Sequence, residues 1–305
     1  MNIITNFRKN KLAPFTAILR RVARFIDNDV LYVKLLYILE KHQKLDMSNP
    51  RTFNEKIQWL KIYNRKSIYT TMVDKYLVKD YVANIIGSKH IIPTLMLYNN
   101  INDININELP SQFVLKTTHG GGSDGVIICK NKEKFNLSKA KEILEKSLKK
   151  DLYMIHREWV YKDVKKRIIV EKYLAPEKGK EDLTDYKFFC FNGEPKYCQV
   201  IRNRNTKETI DFYDMLWNHM PFVGLNPSCK NGLTPVEKPS CLENMIDICR
   251  KLADGIPFVR IDLYVVSGNV YFGEITFYPN SGFGSFTPVE WEYKLGELIT
   301  LPIQK

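Results

Sequence analysis

A glycine-dense turn with an apolar, β-branched run on each side constrains this chain more than any other feature. In KTTHGGGSDGVIICK (116–130), four of the 15 glycines, at 120, 121, 122 and 125, fall within six positions. Gly120, Gly122 and Gly125 satisfy G-x-G-x-x-G, the spacing of a dinucleotide fold. That fold requires a helix after the loop, so that pyrophosphate meets the helix N-terminus. Here QFVLK precedes the glycines and VIICK follows them, so strand leads to strand. A P-loop fails as well, because Val126 and Ile127 stand where Lys and Ser or Thr are needed. What remains is a hairpin whose turn exposes backbone N–H groups able to wrap a polyphosphate. Lys116, at the end of the first strand, would add a point charge. A plain hairpin loop with no ligand fits the same pattern.

A second hairpin narrows the choice. In FVRIDLYVVSGNVYFGEITF (258–277), Asp262 and Glu274 are equally spaced about Gly268 in a Ser-Gly-Asn turn. Strands paired about that turn set the two carboxylates opposite each other, with Arg260 and Thr276 on the same face. Val259, Ile261, Leu263 and Val265 then form the core face. Opposed like charges repel unless something positive lies between them. Mg²⁺ suits hard carboxylate oxygens and completes its shell with phosphates. Arg260 pairing with one acid is the alternative, and it leaves the other acid repelled.

Thr52 and Glu55 form a T-x-x-E capping box for a helix through Ile57, Leu60 and Tyr63. A further helix is expected over about 71–86, stopped by Gly87. HIIPTLMLY reads as an edge strand or strand start because of Pro93, and NNINDININELP as a loop. A helix near 138–149 leads to the strand KRIIVEKYL. The Asn-Gly of YKFFCFNGEPKYCQVI signals a hairpin, and a helix near 242–253 precedes the acidic hairpin. Antiparallel hairpins mixed with single helices make an α+β chain.

The 305 residues carry a formal net charge of +12, which favours an acidic partner. Much of the excess lies in 8–24 and 139–150. In 8–24 basic residues alternate with Leu12, Phe15, Ile18, Leu19 and Val22, as in an interfacial helix on an anionic membrane, or in a core-facing one. No run reaches the roughly 18 apolar residues of a membrane span, and the N-terminus lacks a secretory signal, so a cytoplasmic place is expected, with membrane association on the inner face. The six cysteines and five histidines are dispersed without metal-ligand spacing, so packed thiols are expected and zinc is not.

In order along the chain, these parts resemble the ATP-grasp superfamily. The closer likeness is to its TupA-like branch, of teichuronopeptide biosynthesis. It is carried by TFNEKIQWLKIY, VDKYLVKDYV, FVLKTTHGGGSDGVIICK, REWVYKDVKKRIIVEKYL, DYKFFCFNGEPK and WEYKLGELI, and runs over about 49–302. The resemblance implies an ATP-grasp fold: two α+β lobes whose antiparallel sheets clamp ATP, after a helical N-terminal region. The divisions expected are a basic helical segment 1–48, a helical and strand region 49–112, a lobe 113–175 and a second lobe 176–305.

The resemblance also implies roles. Lys75 and Lys116 would contact ATP phosphates, which Gly120, Gly121, Gly122 and Gly125 would cover. Glu171, Lys172 and Leu174 would lie at the adenine, with Glu177 at the ribose. Asp262 and Glu274 would hold Mg²⁺, and Arg260 resembles the arginine that stabilises a reacting carboxyl. Lys187 would reach nucleotide or substrate. The family's asparagine two residues after the metal-binding Glu is here Thr276, so Asn280 is the candidate substitute. Arg157, Arg202 and Arg204 are candidate substrate contacts, on charge and position alone.

The implied reaction is ATP-dependent amide formation through an acyl phosphate, joining an amino acid or other amine to a uronic acid of a cell-surface polysaccharide. A glycosyltransferase of polysaccharide assembly is the rival enzyme. It calls for a DxD-type metal motif carried on a doubly wound domain, and no such domain is read in the sequence. A non-catalytic protein binding a polyanion or membrane surface predicts salt-dependent binding indifferent to Mg²⁺. Nucleic acid is not an expected partner. Neither rival explains Asp262 facing Glu274.

Overall fold

The computed structural model describes residues 12–122, 124–177, 182–203, 208–226 and 228–303. Helices lead the chain: α1 (Ala13–Val22), α2 (Asp29–Lys41), α3 (Phe53–Tyr63), α4 (Ser67–Val73) and α5 (Leu77–Ile86). Asn28 caps α2 by accepting from Leu31 N at 3.0 Å. The Thr52–Glu55 capping box opens α3 in both directions, as its spacing predicts. The single helix expected over 71–86 is two helices. Asp74 breaks it, since its carboxylate accepts from Tyr76 N and Leu77 N, at 2.8 and 3.2 Å, and so starts α5 anew.

Two antiparallel sheets follow. The smaller comprises β1 (Thr94–Tyr98), β2 (Phe113–Thr117), β3 (Val126–Cys129) and β4 (Ile168–Lys172), in the order β1-β4-β2-β3. Pro93 immediately precedes β1, which lies at the sheet edge, where a missing N–H does no harm. One face packs Phe113, Leu115, Ile168 and Val170 against Ala140 and Leu144 of α6 (Leu137–Leu148). The short α7 (Leu152–His156) leads back to β4.

The larger sheet has the order β10-β9-β5-β6-β7. Its strands are β5 (Asp185–Phe191), β6 (Glu194–Arg202), β7 (Thr209–Asp214), β9 (Phe258–Val266) and β10 (Asn269–Thr276). The expected Asn-Gly turn joins β5 to β6, with Asn192 and Gly193 at φ 50° and 86°. On one face, Val259, Ile261 and Leu263 join a core with Met245, Cys249 and Leu252 of α8 (Leu242–Ala253). That core continues into α2, α3 and α4 through Tyr32, Phe53 and Tyr69. Burial raises the Cys198 and Cys249 thiols well above their usual range, so they pack as apolar groups. A small pair, β8 (Val223–Gly224) and β11 (Phe286–Thr287), and α9 (Glu290–Glu297) complete the elements.

The acidic hairpin pairs as the sequence predicts, by a route the sequence did not show. Its turn is two residues, Ser267 and Gly268, both at positive φ, which alone would set Asp262 opposite Gly273. A bulge between Phe272 and Glu274 shifts the register by one, so Asp262 faces Glu274 and Arg260 faces Thr276. Gly273 suits the bulge, since a Cβ there would lie 2.9 Å from the Tyr264 ring and 3.0 Å from the Asp262 carbonyl.

Candidate active site

A cleft of about 910 Å³ opens between the two sheets. Its floor on the larger sheet is one transverse row. Glu274 pairs with Asp262, Asp262 with Lys187, and Lys187 with Gln199, on four adjacent strands. At about 4.8 Å per strand the row spans roughly 14 Å, a length suited to a polyphosphate and a second reactant.

Each acid of the row already has a cation. Arg260 grips Asp262 in bidentate fashion, Nε to Oδ1 at 2.6 Å and one terminal nitrogen to Oδ2 at 2.8 Å. Lys187 donates to the same carboxylate and lies 3.6 Å from Asp185. Burial alone would raise the Asp262 pKa; Arg260 and then Lys187 outweigh it and hold the carboxyl below its usual range. Arg260 also donates to the Thr276 hydroxyl at 3.0 Å, so this threonine serves the arginine. Glu274 pairs with Lys75 at 3.0 Å.

The smaller sheet supplies the opposite wall. Glu171 is buried and accepts from Lys116 at 2.5 Å and from Lys79 at 2.6 Å. Burial pushes its pKa up, but Lys116 and Lys79 prevail and keep it ionised. At Lys79 the balance reverses: burial outweighs Glu171 and lowers the ammonium pKa, with Lys116 adding repulsion. Its carboxylate is held by two lysines in this structure, and Glu171 lines the cleft together with Lys172, Tyr173 and Leu174, the stretch expected at the adenine. Val114, Val126 and Ile128 make that end of the cleft apolar.

Lys75 links the walls. It sits in the break between α4 and α5, where its N–H donates to the Thr118 carbonyl at 2.9 Å. Its ammonium reaches both Glu274 and the Gly120 carbonyl. The glycines of the loop divide by function. A Cβ on Gly125 would collide with the Ser147 side chain, so this glycine lets the loop close onto α6. One on Gly120 would lie 2.8 Å from Thr117 Oγ1 of β2 and 2.9 Å from the Asp124 carbonyl, so that glycine lets the loop fold back on itself. Gly121 and Gly122 face open space, and Gly122 lines the cleft.

Other expected residues lie elsewhere. Arg157 is buried outside the cleft, paired with Asp29 at 2.9 Å and donating to the carbonyls of Ala23 and Ile26, both at 2.7 Å. It ties the N-terminal helices to the body. Arg202 holds Asp211 at 3.0 Å and the Thr234 carbonyl at 2.8 Å, on the strand face opposite the cleft residue Ile201. Arg204 lies outside the described residues, and Glu177 is exposed beyond the lining. Asn280 does line the cleft, its amide nitrogen donating to the Leu225 carbonyl at 2.5 Å.

Sequence reasoning missed Lys79 and Gln199. Lys79 follows Lys75 by one helical turn, a spacing that could have drawn notice. Gln199 could not be placed, because a bulge between Phe189 and Cys190 shifts it opposite Lys187. Among the described residues no cluster of three or more His, Cys, Asp or Glu could hold a metal. Two facing carboxylates still fit Mg²⁺, which takes one or two carboxylates and fills its shell with phosphate and water. Asp262 and Glu274 would hold it, supplying charge neutralisation at the phosphates.

Two antiparallel sheets enclosing a cleft with lysines on one wall and paired acids on the other define an ATP-grasp fold. A sequence model described as TupA-like ATPgrasp matches residues 55–300, and the chain belongs to that family. No curated protein matches the chain. Among solved structures, D-alanine–D-alanine ligase from Helicobacter pylori is similar at 15% identity and TM-score 0.43, covering 81% of this chain and 69% of that one. The Bacillus anthracis D-alanine–D-alanine ligase complexed with ATP is similar at 16% identity and TM-score 0.40, covering 68% and 55%. The ATP-grasp ligase PsnB with minimal precursor, Mg and ADP stands at 10% and 0.40, covering 73% and 57%. The chain thus spans little more than half of the latter two.

Proposed function

We propose that this protein is an ADP-forming carboxylate–amine ligase. The observation that carries the reading is the Glu274–Asp262–Lys187–Gln199 row facing Lys75 and Lys116 across one cleft. The purine would lie over Val114, Val126 and Ile128, beside Lys172 and Leu174. Phosphates would draw Lys75 and Lys116 off their carboxylates, and Asp262 and Glu274 would turn to Mg²⁺. A substrate carboxylate attacks the γ-phosphorus, ADP leaves, and an amine displaces phosphate from the acyl phosphate. Arg260 would stabilise the developing oxyanion. No nucleophilic side chain is needed.

The acceptor is taken to be a uronic acid of a cell-surface polysaccharide and the amine an amino acid, after the family resemblance and the charge of +12. The site would act on the cytoplasmic side. Peripheral contact with an anionic membrane would use the outward line of α1, Phe15, Ile18 and Val22, continued by Phe25 in the turn just after it, all exposed beside Arg21 and Arg24. Among the described residues no helix is long and apolar enough to cross a membrane. A coupled ADP-release screen of uronic-acid glycans against amino acids tests the chemistry, with Lys116→Ala and Asp262→Asn as controls. ADP formation only when both reactants are present supports the reading; AMP as product refutes the acyl-phosphate route.

A further inference from the structure

The motif TFNEKIQWLK holds residues the nucleotide site does not use. On α3, Asn54, Gln58 and Lys61 follow one another by one helical turn, and all three are fully buried. Their donors converge on one short turn. Asn54 Nδ2 donates to the Gly284 carbonyl at 2.6 Å. Gln58 Nε2 donates to the carbonyls of Ser281 and Gly282, at 3.1 and 2.8 Å. Lys61 Nζ donates to the Ser281 carbonyl at 2.8 Å and to that of His156 at 2.9 Å. From the other side, the Ser281 hydroxyl donates to the buried Glu158.

The turn needs such holding. Asn280, Ser281 and Gly282 are all left-handed, at φ 47°, 56° and 71°. Each non-glycine residue there is disfavoured by about 1–2 kcal/mol, somewhat less for Asn. A Cβ on Gly282 would lie 2.8 Å from Gln58 Nε2 and from Ile57 Cγ2, so helix and turn are in direct contact. Stability is a poor explanation for the polar row. The amide oxygens of Asn54 and Gln58 are buried with no hydrogen-bond partner among the described residues, and burial lowers the Lys61 pKa to about 7 against the pull of Glu158. Apolar side chains in such positions are often as stable or more so. What the row secures is the path of the turn, and the first residue of that path, Asn280, lines the cleft with Glu274 and Asp262.

We propose that Gln58 and Lys61 are positioning residues of this enzyme, acting through the 280–282 turn to set Asn280 at the cleft wall beside the paired acids. The proposal rests on the reading of the cleft as a Mg²⁺–ATP site. Its test is calorimetric titration with ATP, with Mg²⁺ and with EDTA, of the wild type, Gln58→Leu, Lys61→Met, Asn280→Ala and the double Gln58→Leu/Asn280→Ala. Gln58→Leu and Lys61→Met should each weaken Mg²⁺-dependent binding about tenfold and leave metal-free binding within about twofold, and Gln58→Leu should add nothing to Asn280→Ala. A merely structural role would weaken both titrations alike or add in full to Asn280→Ala, and either result overturns the proposal. Ser281→Ala removes only the hydroxyl bond to Glu158 and should shift the Mg²⁺ titration the same way, by less; it keeps the test open should Lys61→Met not fold. A wild type that binds no ATP refutes the proposed function, and with it this inference, before any variant is compared.

Discussion

Replacing Glu171 by Gln separates two accounts of the cleft wall. In the structure this carboxylate neutralises Lys116 and Lys79 within a buried setting, and the substitution leaves both ammoniums without a counter-charge. Removing one partner of a buried ion pair costs about 3–5 kcal/mol. The lower end applies here, because Lys79 keeps the Ile92 carbonyl at 2.8 Å and the Thr94 hydroxyl at 2.7 Å, and the amide keeps one acceptor oxygen. A loss of about 3 kcal/mol lowers Tm by roughly 6–12 °C at the 2–4 °C per kcal/mol of larger domains. Saturating ATP should restore more of the Tm in E171Q than it adds to the wild type, since phosphate oxygens supply the missing charge. The pH dependence has a fixed sign. The folded pKa of Glu171 lies below its ordinary 4.5, so the wild type's advantage is present above about pH 4.5 and fades as the pH falls through the folded value. Thermal melts with and without ATP and GTP, repeated at low pH, make the measurement. An unchanged Tm together with relaxed ATP-over-GTP preference would refute the reasoning and make Glu171 a base contact.

Asp262→Asn strands Arg260 and Lys187, so urea unfolding should show a loss of about 3–5 kcal/mol, partly recovered in Asp262→Asn/Lys187→Met. Gly125→Ala, at φ 67° and against Ser147, should destabilise by about 1–3 kcal/mol. Gly121→Ala faces open space, so it should leave Tm unchanged while raising the Kd for ATP; equal effects of the two on Tm would contradict the division of the loop. His156 is pushed down to about 3 by burial and then by Lys61 and Arg20. The unfolded imidazole takes a proton near 6.5 and the folded one does not, so stability falls as pH drops below 6.5. His156→Gln should remove about 2 kcal/mol of that fall between pH 6.5 and 5, read from denaturation midpoints.

The order of strands around the glycine turn, the facing of Asp262 and Glu274, and the family itself were legible along the chain. Periodicity and turn chemistry are local, and antiparallel hairpins turn local spacing into contact. Even so, the acidic pair met through a bulge at Gly273 that compensates a shorter turn, so the pairing was right and its mechanism was not. A similar bulge near Cys190 hid Gln199. Charge gave no guide to placement: Arg157 and Arg202 have the residue type of a substrate contact and serve as internal ties.

The sequence by itself determined that a glycine hairpin, not a dinucleotide turn, precedes a pair of opposed acids, because period-two alternation and turn residues act over a few positions. Only the tertiary structure decided the partners. Lys75 joins Gly120 to Glu274, which lie 45 and 199 residues along the chain from it. Glu171 is claimed by two lysines, and Asn54, Gln58 and Lys61 are buried against the 280–284 turn. Ion pairs and buried donors are settled by which surfaces meet when the two sheets and α3 close on one another, and no local spacing encodes that meeting.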